Sequence, residues 1–187
     1  MREATFLSGH FLIAMPSLGD SQFARSVTFL CQHGEEGAMG LLVNRVSDYC
    51  LGDVLAQMKL PCEDSHINEA PVLFGGPVQP ERGFVLHEAG GNWDSSFRIN
   101  ERLAVTTSRD ILAAMAEGRG PRRALVALGY AGWSPGQLEQ EMRENSWLTV
   151  EANEQILFET PLEQRWSAAA ALVGIDLSQL TGYAGHA

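Results

Sequence analysis

Apolar positions recur along this 187-residue chain in two rhythms, and the switch between them predicts the elements. Phe11 to Met15 (FLIAM) is a short apolar run, and Ser26 to His33 (SVTFLCQH) is rich in β-branched and aromatic residues with a period of two; both read as strands. Gly34-Glu35-Glu36-Gly37 supplies a turn, after which Ala38 to Asn44 (AMGLLVN) returns as the second strand of a hairpin. Further strands are predicted in PVLFGGP and GFVLH, on either side of Gly75-Gly76-Pro77, at Leu103 to Thr106, and at Trp147 to Val150. Arg123 to Ala131 (RALVALGYA) is apolar almost without interruption, the pattern of a central strand buried on both faces. No internal repeat or low-complexity linker divides the chain, so a single domain over residues 1–187 is expected.

The helical rhythm shows at Leu51, Val54, Leu55 and Met58, predicting a helix over Leu51 to Leu60 that Pro61 stops. A second helix is predicted to open at Thr107, with Asp110 three residues on capping back toward it, and to end near Gly118. Thr160-Pro161-Leu162-Glu163 predicts the start of a last helix with Leu162, Trp166, Ala169, Ala170 and Val173 facing inward. In LGYAGWSPGQLEQE, Leu128 to Glu141, Ser134 occupies an N-cap position, Pro135 the first helical position, and Gln137 completes a Ser-x-x-Gln capping box. This junction reads as a strand-to-helix elbow with a structural role. The alternative is that the N–H groups of the helix start hold an anion, against which Pro135 removes one donor.

Composition narrows the function classes. Hydrophobic residues make up 45% and charged residues 19%, ordinary for a globular protein, and no run approaches the roughly 20 apolar residues of a membrane helix. The N-terminus has no long apolar region of the signal-peptide kind, so a soluble cytoplasmic protein is expected. A formal charge of −10 repels a phosphate backbone, and direct DNA binding is not expected. Arg119, Arg122 and Arg123 cluster around Gly120-Pro121, which reads as a solvated turn.

Three cysteines, Cys31, Cys50 and Cys62, have neither disulfide-framework nor C-x-x-C spacing and read as reduced thiols. His10, His33, His66, His87 and His186 lack metal-ligand spacing, and no phosphate-binding loop, H-E-x-x-H or G-x-S-x-G is present, so neither metal nor cofactor is expected. One pair invites a chemical reading. In an extended strand Cys31 and His33 point to one face about 6.6 Å apart along the chain, a spacing from which an imidazole could favour thiolate. The same face carries Val27 and Phe29, and on the structural reading Cys31 is a small core residue.

The serial motifs FLIAMPSLGD, FARSVTFLCQHGEEGAMGLLVNR, GGPVQPERGFVLH, TTSRDIL, LGYAGWSPGQLEQE, NSWLTV, ILF and AGHA resemble the AlgH/YqgE family of bacterial proteins over nearly the whole chain. The resemblance implies an α+β domain in which a bifurcated mixed β-sheet folds into a pseudo-barrel with helices packed around it. Most members are uncharacterised and a transcriptional-regulator label travels with the name. It therefore implies a regulatory or ligand-binding protein acting on an unknown small molecule or protein partner, with no catalytic residue or cofactor attached. The polar positions that match the motifs, Arg25, His33, Asn44, His87, Thr107 and Ser108, are the ligand-binding candidates, with Tyr130, Gln137 and His186 beside them. The alternative is an enzyme of unknown reaction with its site near the Cys31/His33 hairpin and the Gly75-Gly76-Pro77 turn.

Overall fold

The hydrophobic rhythm becomes structure with few changes in the computed structural model, which describes residues 6–15 and 25–174. In chain order the elements are β1 (His10–Ala14), β2 (Val27–Gly34), β3 (Gly37–Leu42), β4 (Val46–Cys50), α1 (Leu51–Gln57), α2 (Ser65–Asn68), β5 (Pro71–Phe74) and β6 (Val78–Glu88). They continue with β7 (Ser96–Arg98), β8 (Leu103–Thr106), α3 (Arg109–Ala116), β9 (Ala124–Trp133), α4 (Gln137–Arg143), β10 (Trp147–Glu151), α5 (Glu154–Phe158), a single 3₁₀ turn at Leu162–Gln164 and α6 (Arg165–Leu172). The class is α+β, as expected.

The chain divides into two compact units, Met1–Asn44 with Ala131–Ala187 and Arg45–Tyr130. In the first, β10, β1, β2 and β3 form an antiparallel ladder that the last residues of β9 extend, Ala38 pairing with Trp133 and Gly40 with Ala131. Phe11, Leu12, Phe29, Leu30, Leu42 and Leu157 are wholly excluded from solvent there. In the second, β7-β8-β6-β9 is antiparallel, β5 joins β9 in parallel through Leu73↔Ala127, and β4 pairs with β5. Helices α1 and α3 cover this sheet through a core of Leu51, Leu55, Val72, Val85, Ile111, Leu112 and Val126. The predicted central strand is β9, and it is the branch of the sheet: along its length it pairs with β5 and β6, then with β3.

Helix boundaries depart from the sequence expectations, each for a local reason. Helix α1 ends at Gln57, short of Leu60, because Lys59 enters the left-handed region (φ 59°) and the Lys59 and Leu60 N–H groups close back on the carbonyls of Ala56 and Leu55 at 3.1 and 2.8 Å, the Schellman arrangement. Helix α3 opens at Arg109 with Ser108 as N-cap, and Asp110 accepts from the Ser108 hydroxyl, so no capping box closes on Thr107. At the Thr160-Pro161 start, a 3₁₀ turn precedes α6; Trp166, Ala169 and Ala170 are buried, whereas Leu162 and Val173 are only half-buried.

Ser134 is not an N-cap. Ser134-Pro135-Gly136-Gln137 forms a type II turn in which the Gln137 N–H donates to the Ser134 carbonyl at 3.0 Å and Gly136 has φ 78°, ψ −10°; α4 starts at Gln137, two residues after the expected Pro135. Pro at the second and Gly at the third turn position fix this geometry before any helix can begin. One half of the anticipated capping box survives, as Gln137 Oε1 accepts from the Ser134 N–H at 2.9 Å. The same segment carries a polar hub. Glu141 Oε1 accepts from the indole N–H of Trp133 at 3.0 Å and of Trp147 at 2.9 Å, and Oε2 accepts from Gln137 Nε2 at 2.9 Å. The two indoles meet edge to face, 6.0 Å between centroids.

Candidate functional site

The register of β6 against β9 creates the most notable concavity. Val78 pairs with Tyr130 but Gly83 pairs with Leu128, so Gln79, Pro80, Glu81 and Arg82 bulge out opposite the single residue Gly129. Gly129 has φ 79°, and a Cβ there would lie 2.3 Å from the Gly76 carbonyl oxygen and 3.1 Å from the Pro80 Cα. The GGPVQPERG and LGYAGW motifs therefore interlock at a position open only to glycine. The bulge overhangs a cleft of about 560 Å³ within the Arg45–Tyr130 unit. Its floor is Gly83 and Val85 of β6 with Val126 and Leu128 of β9; α1 gives one wall through Asp53, Val54, Gln57 and Met58. The opposite wall is Thr106, Thr107, Ser108 and Leu112, and Tyr49 and Glu81 stand at the rim.

Both walls are held by hydrogen bonds that use most of their polar capacity. Asp53 Oδ2 accepts from the Cys50 N–H at 2.9 Å and its Sγ at 3.3 Å, contacts that hold the carboxyl below the usual carboxylate range. Asp110 accepts from the Ser108 hydroxyl at 2.5 Å, the Ile111 N–H at 2.9 Å and the Asp94 N–H at 2.8 Å. Burial alone would raise the Asp110 pKa; these bonds outweigh it and lower it. The Ser108 hydroxyl also accepts from the Ser95 N–H at 3.0 Å, so the start of α3 is satisfied and already carries a negative charge. Arg109 donates through Nε and Nη2 to the Met58 carbonyl at 3.3 and 3.1 Å, tying α3 to the end of α1.

Behind the Thr106 wall sits His87, fully buried. Its Nδ1 lies 2.7 Å from the Glu88 carbonyl oxygen, which can only accept, so Nδ1 bears the proton and Nε2 accepts from the Thr106 hydroxyl at 2.7 Å. Thr106 in turn hydrogen-bonds the Ser96 hydroxyl at 2.9 Å. Desolvation lowers the His87 pKa, opposed by the bond to Glu88, and the ring is neutral at pH 7.

Of the residues singled out from sequence, His87, Thr107 and Ser108 gather at this cleft: Thr107 and Ser108 line it, and His87 supports it through Thr106. Tyr130 packs edge to face on Phe84, whose ring the Arg82 guanidinium overlies. Arg25, His33 and Asn44 lie in the other unit, where the His33 and Asn44 side chains brace backbone. Asn44 Oδ1 accepts from the Val27 N–H at 2.9 Å while its Nδ2 donates to the Arg25 carbonyl at 3.0 Å, and the Arg25 guanidinium stacks over Trp166. His33 Nδ1 accepts from the Leu7 N–H at 3.0 Å, and its Nε2 stands 3.4 Å from the Glu139 carboxylate, too poorly aligned for a hydrogen bond. His186 lies outside the described residues.

Cys31 does not form the thiol–imidazole pair that its spacing suggested. A bulge between Leu30 and Gln32 breaks the alternation, the Cys31 Sγ is directed at the Phe29 carbonyl at 3.8 Å, and burial pushes its pKa far above the ordinary thiol value. Cys31 is thus a neutral core residue. Asp53, Glu81, Tyr49 and Gly83 were not among the sequence candidates. Asp53 and Gln57 flank the apolar stripe of α1, and a proline between Val78 and Gly83 signals a bulge within a strand, the one cue that pointed here. Among the described residues no group of three or more His, Cys, Asp or Glu is placed to hold a metal, and no helix is long and apolar enough to cross a membrane.

Comparison with known proteins places the chain. The profile of the DUF179 family, described as AlgH-like, matches residues 11–178. The chain is 57% identical over 183 residues to a UPF0301 protein of Xanthomonas campestris pv. campestris (strain B100), covering 98% of this chain and 97% of the relative. It is 51% identical over 187 residues to a UPF0301 protein of Nitrosococcus oceani, covering all of both chains. Among solved structures, the solution structure of the AlgH protein from Pseudomonas aeruginosa is similar with a TM-score of 0.81 at 48% identity, covering 97% of each chain. A crystal structure of a Corynebacterium diphtheriae protein is similar with a TM-score of 0.69 at 25% identity, covering 90% of this chain and 87% of the other. The chain belongs to the AlgH-like family.

Proposed function

We propose that this AlgH-like chain is a ligand-binding protein, with a regulatory role exerted through occupancy of the cleft beneath the Gln79–Arg82 bulge. The observation that carries the reading is the cleft itself: an apolar floor with a few polar groups at its walls and rim, in the size range of small-molecule sites. The family motifs support it, because two of the glycine-containing segments that carry the family resemblance build the overhang. The protein acts in the cytoplasm without contacting DNA directly, a reading supported by the −10 charge.

A cleft-filling variant tests the proposal. A Cβ at Gly83 meets nothing nearer than Leu128 Cδ2 at 4.0 Å, and its φ is unexceptional, so Gly83→Leu fills the floor without backbone strain. Thermal-shift screening of amphipathic small molecules is expected to give hits with the parent protein that disappear in Gly83→Leu. Hits that persist in the variant place ligand binding elsewhere, and a screen without any hit removes the proposal. Titration of labelled duplex DNA is expected to show nothing tighter than about 10⁻⁴ M at physiological salt; sub-micromolar, sequence-selective binding would reinstate direct regulation.

A further inference from the structure

The cleft carries one sign of charge. The ionisable side chains that line it are Asp53, Glu81 and Tyr49, with no lysine, arginine or histidine among them. Asp53 has its pKa lowered by its bonds to Cys50 and stays anionic across the physiological range. Two basic groups in contact with lining residues are engaged elsewhere: Arg109 donates to the Met58 carbonyl, and the Arg82 guanidinium, next to Glu81 on the bulge, lies over the Phe84 ring. Across the cleft, Asp110 adds another negative charge behind Ser108, so the start of α3 gives an entering anion no free donor pair.

The remaining lining is of two kinds. Val85, Val126 and Leu128 of the floor and Leu112 of the wall are apolar, and Tyr49, more than half exposed, gives the rim of the same cleft an aromatic ring. An ammonium group is attracted by carboxylates and by an aromatic face, whereas a carboxylate or phosphate would meet repulsion there without a compensating cation.

Taking the cleft as the ligand site, we infer that its ligand is a small organic cation: an amine with an apolar body long enough to reach the Val126–Leu128 floor, its ammonium held at the Asp53, Glu81 and Tyr49 rim. The apolar body supplies affinity by burial, and the rim chooses the sign of the head group. The inference concerns the class of ligand, and its failure is separable from failure of the ligand-binding reading.

The probes are three compounds sharing one phenylalkyl body: 4-phenylbutylamine, 4-phenylbutanol and 4-phenylbutyrate. Each is titrated into the full chain at pH 7 and low salt by calorimetry, with heteronuclear NMR shifts mapping the site. The amine is expected to bind at least about tenfold more tightly than the carboxylate, to weaken as salt screens the rim, and to shift residues of α1 and the bulge. Glu81 is exposed on the bulge, so Glu81→Gln leaves the fold intact; it is expected to weaken the amine roughly fivefold and leave the alcohol unchanged, the scale of one exposed ion pair. Gly83→Leu is expected to abolish all binding.

Equal affinity for the three probes, all lost in Gly83→Leu, overturns the cation inference and leaves an apolar ligand site. Tighter binding of the carboxylate overturns it, as does an amine affinity unaffected by Glu81→Gln. No binding by any probe at about 5 mM, well above the millimolar affinities expected of fragments this small, overturns it as well; persistence of binding in Gly83→Leu sinks the reading of the cleft itself.

Discussion

Glu141→Ala is expected to be among the most costly substitutions of a partly exposed residue in this chain. The Glu141 carboxylate accepts from the indole N–H groups of Trp133 and Trp147 at 3.0 and 2.9 Å, and those rings are only 7% and 5% exposed. Truncation strands two buried donors. Each stranded donor costs about 1–3 kcal/mol, so the pair loses about 2–6 kcal/mol; because Glu141 is itself partly exposed, the lower half of that range, about 3 kcal/mol, is expected. For a chain of this size about 3 kcal/mol lowers Tm by about 6–12 °C. Glu141→Gln keeps one oxygen able to accept from both indoles but turns an amide toward Gln137, and it is expected to lose about 1 kcal/mol. Urea unfolding followed by tryptophan fluorescence supplies the stability and reports on the affected rings together. A double-mutant cycle isolates the cause: in a Trp147→Phe background one donor is already gone, and Glu141→Ala should cost about 1 kcal/mol less than in the parent. A loss below about 1 kcal/mol for Glu141→Ala, or no coupling to Trp147, would refute the hub and leave the Trp133–Trp147 contact to hold this segment alone.

Three further outcomes are expected. Gly129→Ala, forced to keep φ near 79° and to place a Cβ against the Gly76 carbonyl, should destabilise the chain by about 2 kcal/mol or more and displace the bulge; a melt indistinguishable from the parent would contradict the interlock. His87 has its folded pKa depressed below 6.5, so below that value the unfolded chain takes up a proton that the native state refuses. The stability it contributes is therefore full above about pH 6.5 and declines as pH falls toward the lower native pKa; a parent whose stability between about pH 8 and pH 5 has the same slope as that of His87→Gln would rule this out. With Cys31 buried and its thiol pKa raised, brief iodoacetamide treatment should label Cys50 and Cys62 before Cys31, and peptide mass mapping showing Cys31 labelled first at neutral pH would restore a reactive thiol.

What the sequence determined by itself is whatever depends on neighbours along the chain. Alternation marked β2, short apolar runs marked β1 and β8, the turn after β2 marked β3, an unbroken apolar run marked β9 as the central strand, and helical spacing located α1, because side-chain direction repeats every two or 3.6 residues whatever the rest of the chain does. The family motifs, too, were legible as strings. Short elements with little periodicity, β4, β7, α2 and α5, were not, nor were boundaries set by backbone geometry: Lys59 in the left-handed region ends α1, and the Pro135-Gly136 turn delays α4.

Only the tertiary structure sorted the polar candidates. Arg25, His33 and Asn44 look no different in sequence from Thr107, Ser108 and His87, yet in one unit His33 and Asn44 hold backbone and Arg25 stacks on Trp166, while the others gather at the cleft of the second. The cleft depends on strand register, which makes four residues of β6 oppose one glycine of β9, and on packing that brings Asp53 and Glu81, 28 positions apart in the sequence, to the same rim. Register and packing are settled by pairing between distant segments, and no local rhythm encodes which distant segment a residue will meet.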